Sequence, residues 1–262
     1  PACCGVTGLD FLRQRLQTLK INHPHPRIAM LGCTPETRVA VAEVFADDAD
    51  VTLFDLNPTM RDAMDIVAGQ ISPQHDKIIR SHRLSQIDWL LLDRVDQAFD
   101  IVIGVDVANM VLHDELPQFL DVLAAILNAN GSVLFQVVVE PLGAYRELID
   151  QLPEDLWAAY GDLSEQSSID PGEMFSRLCF RQLDARSKIC SAGEVVQDLE
   201  PIEGALDRFG FQTRGLSARY RFCNSTLSLY SENEYRSRFQ AHGFDVEAMH
   251  GDSNTGELNY TR

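Results

Sequence analysis

Residues 28–36 have the sequence IAMLGCTPE, and this stretch decides the fold. Its first four residues are apolar and predict a buried strand, which ends in a turn at Gly32. Thr34 then stands where a helix N-cap is expected, with Pro35 at the first helical position. Such a turn lets a ligand approach the backbone, and the start of the helix offers free N–H groups to a carboxylate or phosphate. A glycine needed only for tight packing after the first strand explains the pattern equally well.

Short apolar runs alternate with helical segments along the chain from Arg27 to Val139. Near-continuous apolar strands separated by helices predict an α/β fold with a parallel sheet covered on both faces. The turn into the fifth strand is predicted at Asn130-Gly131. The predicted strands span residues 28–31, 51–54, 77–81, 101–105 and 133–139, and the predicted helices span residues 35–45, 58–68 and 115–127.

This regular alternation covers only part of the chain, so we divide the sequence into regions. Near the N-terminus, leucines at positions 9, 12, 16 and 19 recur at helical spacing and predict an amphipathic helix. The alternation is lost past residue 140. A helix over 234–241, a terminator at Gly243 and a strand over 244–249 restore it. The predicted regions are an N-terminal helical extension (1–26), a core (27–140), a helical insertion or lid (141–200), the C-terminal part of the core (201–250) and a loose tail (251–262).

The composition limits the classes of partner. The formal net charge is −17, whereas a general nucleic-acid binder needs a cationic surface, so we expect a small-molecule partner and no nucleic acid. No apolar run reaches the roughly 18 residues that span a bilayer, so we expect no membrane partner and a cytoplasmic location. The six cysteines form no C-x-x-C pair, which is typical of reduced thiols, and we expect no metal site. The oligomeric state is left without a prediction.

A second segment, VTLFDLNP at residues 51–58, ends the second strand with an acid. Asp55 lies 23 positions after Gly32, near the spacing at which a carboxylate binds the ribose hydroxyls in nucleotide-binding α/β proteins. Capping of the helix that begins near Pro58 is the alternative role for this residue. Taken together, Gly32 and Asp55 favour a ligand that contains a nucleoside.

Three further segments complete a pattern: IDW at residues 87–89, FDIVIGVD at 99–106 and NANGSVL at 128–134. With the glycine turn and the acid after the second strand, they make the chain resemble class I S-adenosylmethionine-dependent methyltransferases. The resemblance covers roughly residues 27–139 and 228–250. It implies a Rossmann-like, mostly parallel sheet of seven strands with helices on both faces. It also implies an enzyme, a methyltransferase whose cofactor is S-adenosylmethionine.

The resemblance further implies which residues bind the cofactor. The turn that begins at Gly32 would line the methionyl end, and Asp55 would hold the ribose hydroxyls, with Leu56 beside the adenine. Asp88 would accept a hydrogen bond from the adenine amino group, although a helix start is its alternative role. Asp106 would lie under the cofactor at the end of the fourth strand. The implied cofactor-binding residues are Gly32, Cys33, Thr34, Asp55, Leu56, Asn57, Asp88, Trp89, Asp106 and Val107.

Methyl transfer from a sulfonium is an in-line displacement, so the protein supplies alignment and, for an oxygen or nitrogen acceptor, a base. The candidate catalytic residues are Asp106, His113 and Tyr230. His113 suits proton removal near neutral pH, and a structural histidine at a helix entry is the alternative. The predicted function is therefore O- or N-methylation of a small-molecule acceptor.

The first motif departs from the pattern of the family. The family usually carries an acid where this chain has Met30, and further glycines where it has Thr34 and Glu36. If Glu36 pointed inward, it would repel the carboxylate of the cofactor. A methyltransferase-like protein that binds without catalysing is therefore one alternative. Another is a different Rossmann-type nucleotide-dependent enzyme, although a nicotinamide-dependent one normally needs G-x-G-x-x-G, which residues 32–37 lack.

Overall fold

The computed structural model describes residues 6–139, 189–191, 226–246, 248–251 and 257–261. The chain divides into two compact units. Of the described residues, the first unit holds those within Pro1–Ala108, Asp114–Val137 and Asn233–Arg262. The second unit holds those within Asn109–His113 and Val138–Glu232.

A parallel sheet confirms the predicted α/β, Rossmann-like class. Its five parallel strands have the order β3-β2-β1-β4-β5, which is typical of nucleotide-binding α/β proteins. The first residue of β1 and of β2 is exposed and the other four are buried, as expected of strands covered on both faces. The strands are β1 (Arg27–Leu31), β2 (Asp50–Phe54), β3 (Arg83–Ser85), β4 (Phe99–Val105) and β5 (Leu127–Val138).

Helices connect the strands, and most begin and end near the predicted residues. No helix in the described ranges combines the length and the apolar character needed to cross a bilayer. Three short 3₁₀ helices occur among the described residues, namely Ala46–Asp48, Pro73–His75 and Trp89–Arg94. The α-helices are α1 (Val6–Asn22), α2 (Pro35–Phe45), α3 (Pro58–Ile71), α4 (Asp76–Ser81), α5 (Val107–Met110), α6 (Leu116–Ile126) and α7 (Glu232–Ala241).

Helix α1 packs on the sheet, as its leucine spacing predicts. Leu16 and Leu19 are buried and belong to one apolar cluster with Ile28 and Met30 of β1. Burying a leucine side chain contributes about 1.5–3 kcal/mol, so these contacts attach the N-terminal helix to the core. Met30 is therefore a core residue, 2% exposed.

The prediction of the third strand over residues 77–81 is wrong. These residues belong to α4, and the strand that pairs with β2 is Arg83–Ser85. Arg80 Nε donates to both carboxylate oxygens of Asp76 at 2.9 Å, and such an i, i+4 pair favours a helix. Ile79 is also fully buried. Its β-branched side chain suggested a strand, but packing against the neighbouring helices decides the conformation.

The predicted turn at Asn130-Gly131 lies inside β5 and does not precede it. The register jumps from Phe99 opposite Leu127 to Ile101 opposite Ser132. Asn130 adopts a positive φ of 72° within this irregularity, a conformation that asparagine tolerates better than most residues. The turn chemistry was thus predicted correctly. The strand starts before residue 133 because β5 pairs with β4 on both sides of the bulge.

At the C-terminal end, α7 and its terminator confirm the prediction. Gly243 has a positive φ of 81°, and the N–H of Phe244 donates to the carbonyl of Phe239 at 3.1 Å. This bond closes the end of the helix. It also uses the N–H that a strand beginning at residue 244 would need. The predicted strand over 244–249 therefore starts too early, and the observed strand β8 spans Ala248–Gly251.

The tail also departs from its prediction. Residues 251–262 were predicted to be loose, whereas Glu257–Thr261 form strand β9, which pairs with β8 in antiparallel fashion. The sequence ELNYT alternates polar and apolar residues, which is the pattern of a strand with one buried face. The sheet order continues from β5 through β9 to β8.

The second unit contains a small antiparallel sheet. Strand β6 (Ile189–Ser191) pairs with β7 (Thr226–Ser228), and Val139 forms a parallel bridge with Tyr230. Strand β6 falls in the predicted helical insertion, so the helical prediction is wrong for these three residues, whose pairing with β7 overrides local propensity. The other residues of 141–200 lie outside the described ones.

Candidate functional site

The glycine turn after β1 leaves its outer side open. Gly32 has a positive φ of 85°, and a Cβ placed on it would meet no atom of the described residues within 4 Å, its chain neighbours aside. Its N–H donates to the carbonyl of Phe54 at 2.9 Å, which fixes the turn to the end of β2. Leu31 pairs with both Phe54 and Gly104, so the ends of β2 and β4 flank the turn. This arrangement lets a ligand approach the backbone closely.

Helix α2 begins at the predicted residue without a side-chain cap. Thr34 occupies the N-cap position, yet its hydroxyl makes no capping hydrogen bond. The carbonyl of Thr34 accepts instead from Thr37 Oγ1 at 2.8 Å and from the N–H of Arg38 at 3.2 Å. The hydroxyl of Thr34 is therefore not committed to the helix.

An acid lies at the start of α2, where a phosphate-binding site would need N–H donors and no negative charge. Glu36 lies in the first turn of the helix, half-buried. Its Oε2 is shielded from solvent and has no hydrogen-bond partner within the described part of the chain. A carboxylate at this position interacts favourably with the helix dipole but repels a second anion. One oxygen of this carboxylate is thus shielded from solvent, although the residue as a whole is only half-buried.

The end of β2 separates the two roles that Asp55 was predicted to play. Asn57, not Asp55, caps α3, because Asn57 Oδ1 accepts from the N–H groups of Thr59 and Met60 at 3.0 and 3.2 Å. Asp55 is half-buried, and its Oδ1 accepts from the N–H of Asn57 at 2.8 Å. The carboxylate of Asp55 is therefore held in place next to β1, as a ribose-binding group would be.

Cys33 lies against Asp55. The thiol is 4% exposed, and burial raises its pKa to about 12, helped by the negative charge of Asp55 and a hydrogen bond to that carboxylate. Cys33 is therefore a protonated donor at neutral pH, and its thiolate is not available for chemistry. The thiol and the N–H of Asn57 together orient the carboxylate of Asp55.

The segment after β3 reaches the same strand end. Asp88 is exposed and caps the 3₁₀ helix Trp89–Arg94 through the N–H of Leu90 at 2.9 Å, which was the alternative role foreseen for it. Trp89 Nε1 donates to the carbonyl of Phe54 at 2.8 Å. That one carbonyl thus accepts from both Gly32 and Trp89. Leu56, two residues after Phe54, has 60% of its surface exposed.

Asp106 follows β4 in an unusual conformation. Its φ is 57°, and its N–H donates to the carbonyl of Gln136 at 2.9 Å. The Oδ1 atom is buried without a hydrogen-bond partner among the residues described, and burial raises the pKa of the carboxyl to about 6. A strained backbone and an unpaired buried carboxyl occur together at functional sites. Val107, the next residue, is buried and begins α5.

The other two candidate catalytic residues belong to the second unit. The hydroxyl of Tyr230 and Nδ1 of His113 are 2.9 Å apart, and their rings lie 5.5 Å apart between centroids. Tyr230 is fully buried. Close by in that unit, Asn109 Nδ2 donates to the carbonyl of Ser228 at 3.0 Å. His113 and Tyr230 therefore form a pair, a contact between residues 117 positions apart.

A buried charged network supports α2 from behind and was not predicted. Arg38 is fully buried and forms an ion pair with Asp65 of α3, and its Nη2 also donates to the carbonyl of Ile79 at 2.8 Å. Burial, together with the charge of Arg38, lowers the pKa of His82 to about 4. Arginine is rarely buried, so an isolated sequence predicts it on the surface, and only the fold reveals Asp65 as its partner.

Comparison with known proteins adds information on the fold. No protein-family model matches the chain, and no curated protein sequence matches it significantly. An S-adenosylmethionine-dependent methyltransferase from Clostridium acetobutylicum superimposes with a TM-score of 0.53 at 10% identity, covering 97% of this chain and 90% of that one. A Nostoc punctiforme protein proposed to be an O-methyltransferase gives a TM-score of 0.52 at 12% identity, covering 97% of this chain and 55% of that one.

A protein to which a different activity is ascribed has a similar fold. A Rhodobacter sphaeroides protein proposed to be a zinc-dependent alcohol dehydrogenase superimposes with a TM-score of 0.57 at 16% identity, covering 98% of this chain and 88% of that one. Among the described residues, no group of three or more His, Cys, Asp or Glu side chains is placed to hold a metal ion. The superpositions on methyltransferases confirm the resemblance to class I methyltransferases at the level of the fold. Because one fold supports several activities, the side chains must distinguish them.

Proposed function

We propose that this chain is an S-adenosylmethionine-dependent methyltransferase that binds its cofactor where β1, β2 and β4 end. The observation that carries the proposal is the number of carboxylates at this edge of the sheet. Glu36 and Asp106 each have a buried carboxylate oxygen without a partner in the described ranges, and Asp55 is held beside the open turn at Gly32. Buried carboxylates call for a cationic ligand. S-adenosylmethionine carries a sulfonium and an ammonium group.

The same acidity argues against a dinucleotide. In nicotinamide-dependent enzymes of this fold, the pyrophosphate binds at the N-terminus of the helix after β1. Here that helix begins with Pro35, which has no N–H to donate, and Glu36, whose charge repels a phosphate. The open space at Gly32 suits either ligand, so charge decides between them.

S-adenosylmethionine supplies a methyl group bonded to a positively charged sulfur. Asp55 holds the ribose hydroxyls, and the Cys33 thiol and the N–H of Asn57 keep its carboxylate in one orientation. Asp106 provides a negative charge under the sulfonium end. Trp89 and Leu56 line the adenine, and Asp88 accepts a hydrogen bond from the adenine amino group. Thr34 contributes a hydroxyl and Val107 an apolar wall.

On the acceptor side we propose His113 as the base, positioned by Tyr230. In the tautomer whose Nδ1–H donates to the Tyr230 oxygen, Nε2 is unprotonated and can take the proton that the acceptor loses. The tyrosine then fixes both the tautomer and the ring orientation. The acceptor is a small molecule, because a chain with a net charge of −17 repels nucleic acids.

Equilibrium binding to the wild-type protein tests the proposed cofactor. S-adenosylmethionine and S-adenosylhomocysteine should bind, and NAD should not. Binding of NAD alone would overturn the proposal. Turnover is then measured as formation of S-adenosylhomocysteine with pools of hydroxyl and amine compounds. His113→Ala should lower that rate without changing cofactor affinity. Binding without turnover in every pool would favour the non-catalytic alternative.

A further inference from the structure

The proposed base and its partner lie on two short segments of the second unit. His113 is in a turn after α5, and Tyr230 follows strand β7 by two residues. Repeated backbone hydrogen bonds of a helix therefore do not fix the position of His113. The 2.9 Å contact between the Tyr230 hydroxyl and His113 Nδ1 depends instead on how the two segments are held together.

A second hydrogen bond joins the same two segments. Nδ2 of Asn109 donates to the carbonyl oxygen of Ser228 at 3.0 Å. Asn109 precedes His113 by four residues, and Ser228 precedes Tyr230 by two. The two bonds connect residues 119 and 117 positions apart in the chain. Each bond therefore restricts the distance across which the other must form.

The surroundings of Asn109 make its bond a strong constraint. Asn109 and Ser228 are each 1% exposed, so water does not replace the carbonyl if the amide moves away. The other three residues of α5 are apolar. A buried amide in such a helix is costly unless it is hydrogen-bonded, and the Ser228 carbonyl supplies a partner. The bond is thus expected to persist whenever this part of the protein is folded.

The next step rests on the proposed function, in which His113 is the base. We propose that Asn109 is a positioning residue for methyl transfer. By holding the carbonyl of Ser228, Asn109 keeps the Tyr230 hydroxyl within reach of His113 Nδ1, so that the Nδ1–H tautomer is maintained and Nε2 stays unprotonated. Asn109 itself touches neither the cofactor nor the acceptor. Without its bond, the imidazole adopts other tautomers and orientations, and proton removal from the acceptor becomes less frequent.

Histidine ¹⁵N NMR tests this role in the resting protein, without an acceptor. At alkaline pH, where the imidazole is neutral, wild type should show the Nδ1–H tautomer for His113, and His113→Gln assigns the signal by removing it. Asn109→Leu, which removes the donor at similar size, should shift the signal toward the tautomer mixture of a histidine in water. Asn128→Leu, which removes a 2.8 Å amide bond to Asp100, is the matched control and should leave the signal unchanged.

Turnover gives a second readout. Asn109→Leu should lower kcat about tenfold and leave the KM for S-adenosylmethionine unchanged, because only the alignment of the base is lost. The double variant with Tyr230→Phe should turn over no more slowly than Tyr230→Phe alone, since both changes disrupt the same pair. Unchanged affinity for S-adenosylhomocysteine verifies folding, and Asn109→Ala takes the place of the leucine variant if that one does not fold.

The outcomes separate the two proposals. An unchanged His113 signal in the Asn109 variant, or losses in kcat that multiply in the double variant, would overturn the role of Asn109 and leave the proposed function in place. If the wild-type protein binds the cofactor but shows no turnover, the proposed catalysis fails and the catalytic role of Asn109 fails with it. The NMR signal still decides in that case whether Asn109 holds the pair of His113 and Tyr230 together.

Discussion

Trp89 Nε1 donates a 2.8 Å hydrogen bond to the carbonyl oxygen of Phe54, at the end of β2. The same oxygen accepts from the N–H of Gly32, so one backbone acceptor joins the turn after β1 to the segment after β3. The sequence predicts both segments in the cofactor site. Their mutual attachment means that the glycine turn and the proposed adenine side of the site form one supported structure.

Trp89→Phe tests this attachment, because it keeps an aromatic ring and removes the N–H donor. We expect a loss of about 1 kcal/mol in the free energy of unfolding, the usual net value of such a bond. Affinity for S-adenosylhomocysteine should fall a few-fold, since the Gly32 bond to Phe54 remains. Urea denaturation and calorimetry give the two quantities. A stability loss with unchanged affinity would show that the attachment is structural only.

Gly32→Ala has a matched control in Gly243→Ala. Both glycines have a positive φ, 85° and 81°, and a Cβ at either would meet no atom within 4 Å in the described part of the chain, neighbouring residues aside. Each variant should therefore lose about 1 kcal/mol of stability from backbone strain. Only Gly32→Ala should also lose nucleoside affinity, about tenfold, because its methyl group enters the space of the ligand. Equal affinity of the two variants would place the ligand elsewhere.

Asp106→Asn should make stability less dependent on pH. Burial raises the pKa of the folded-state carboxyl to about 6, above that of the unfolded chain. The stability that this group contributes is therefore fully present below the unfolded pKa and is lost as the pH rises through about 6. Asparagine tolerates the positive φ of this position.

For the variant, we expect a gain of about 1–2 kcal/mol near pH 8, discounted because part of the residue reaches solvent, and a smaller gain near pH 5. Denaturant titrations at the two pH values measure it. A gain that does not change with pH would mean that the carboxyl is not perturbed in the folded protein.

Asp65→Ala should be the most destabilising of these variants. It leaves the buried guanidinium of Arg38 without its carboxylate, and removal of one partner of a buried ion pair costs about 3–5 kcal/mol. Asp62→Ala, an exposed acid on the same helix, should cost less than about 0.5 kcal/mol. Urea denaturation compares them, and similar losses for the two would contradict the buried pair.

The sequence predicted most of this fold because its signals were local. The strands β1, β2 and β4 are nearly continuous apolar runs. Helices α2 and α3 begin at Pro35 and Pro58, and proline is a strong signal for the first position of a helix. The prediction failed at α4, where Ile78 and Ile79 have strand propensity but Ile79 is buried in an apolar cluster with residues of other helices. It failed again at the C-terminal end, where the alternation in β9 covers only five residues and the strand depends on its pairing with β8.

For the site, sequence reasoning found side chains with a known chemistry and missed what the backbone does. Nothing in the residue type of Phe54 indicates that its carbonyl joins Gly32 and Trp89. The contact between Cys33 and Asp55 depends on neighbouring strands and has no signal in sequence. The sequence does not predict the direction of the Glu36 side chain, because a single acid is tolerated on either face of a short helical segment.

Calorimetric titration of Asp55→Ala beside wild type tests the central claim most directly. The wild-type protein should bind S-adenosylmethionine and S-adenosylhomocysteine, and the variant should lose about tenfold to a hundredfold in affinity for both, because hydrogen bonds to a carboxylate are lost. Asp62→Ala, with its exposed acid on α3, should bind as wild type does. Retention of full affinity by Asp55→Ala, or binding of NAD in place of the sulfur nucleosides, would contradict the account.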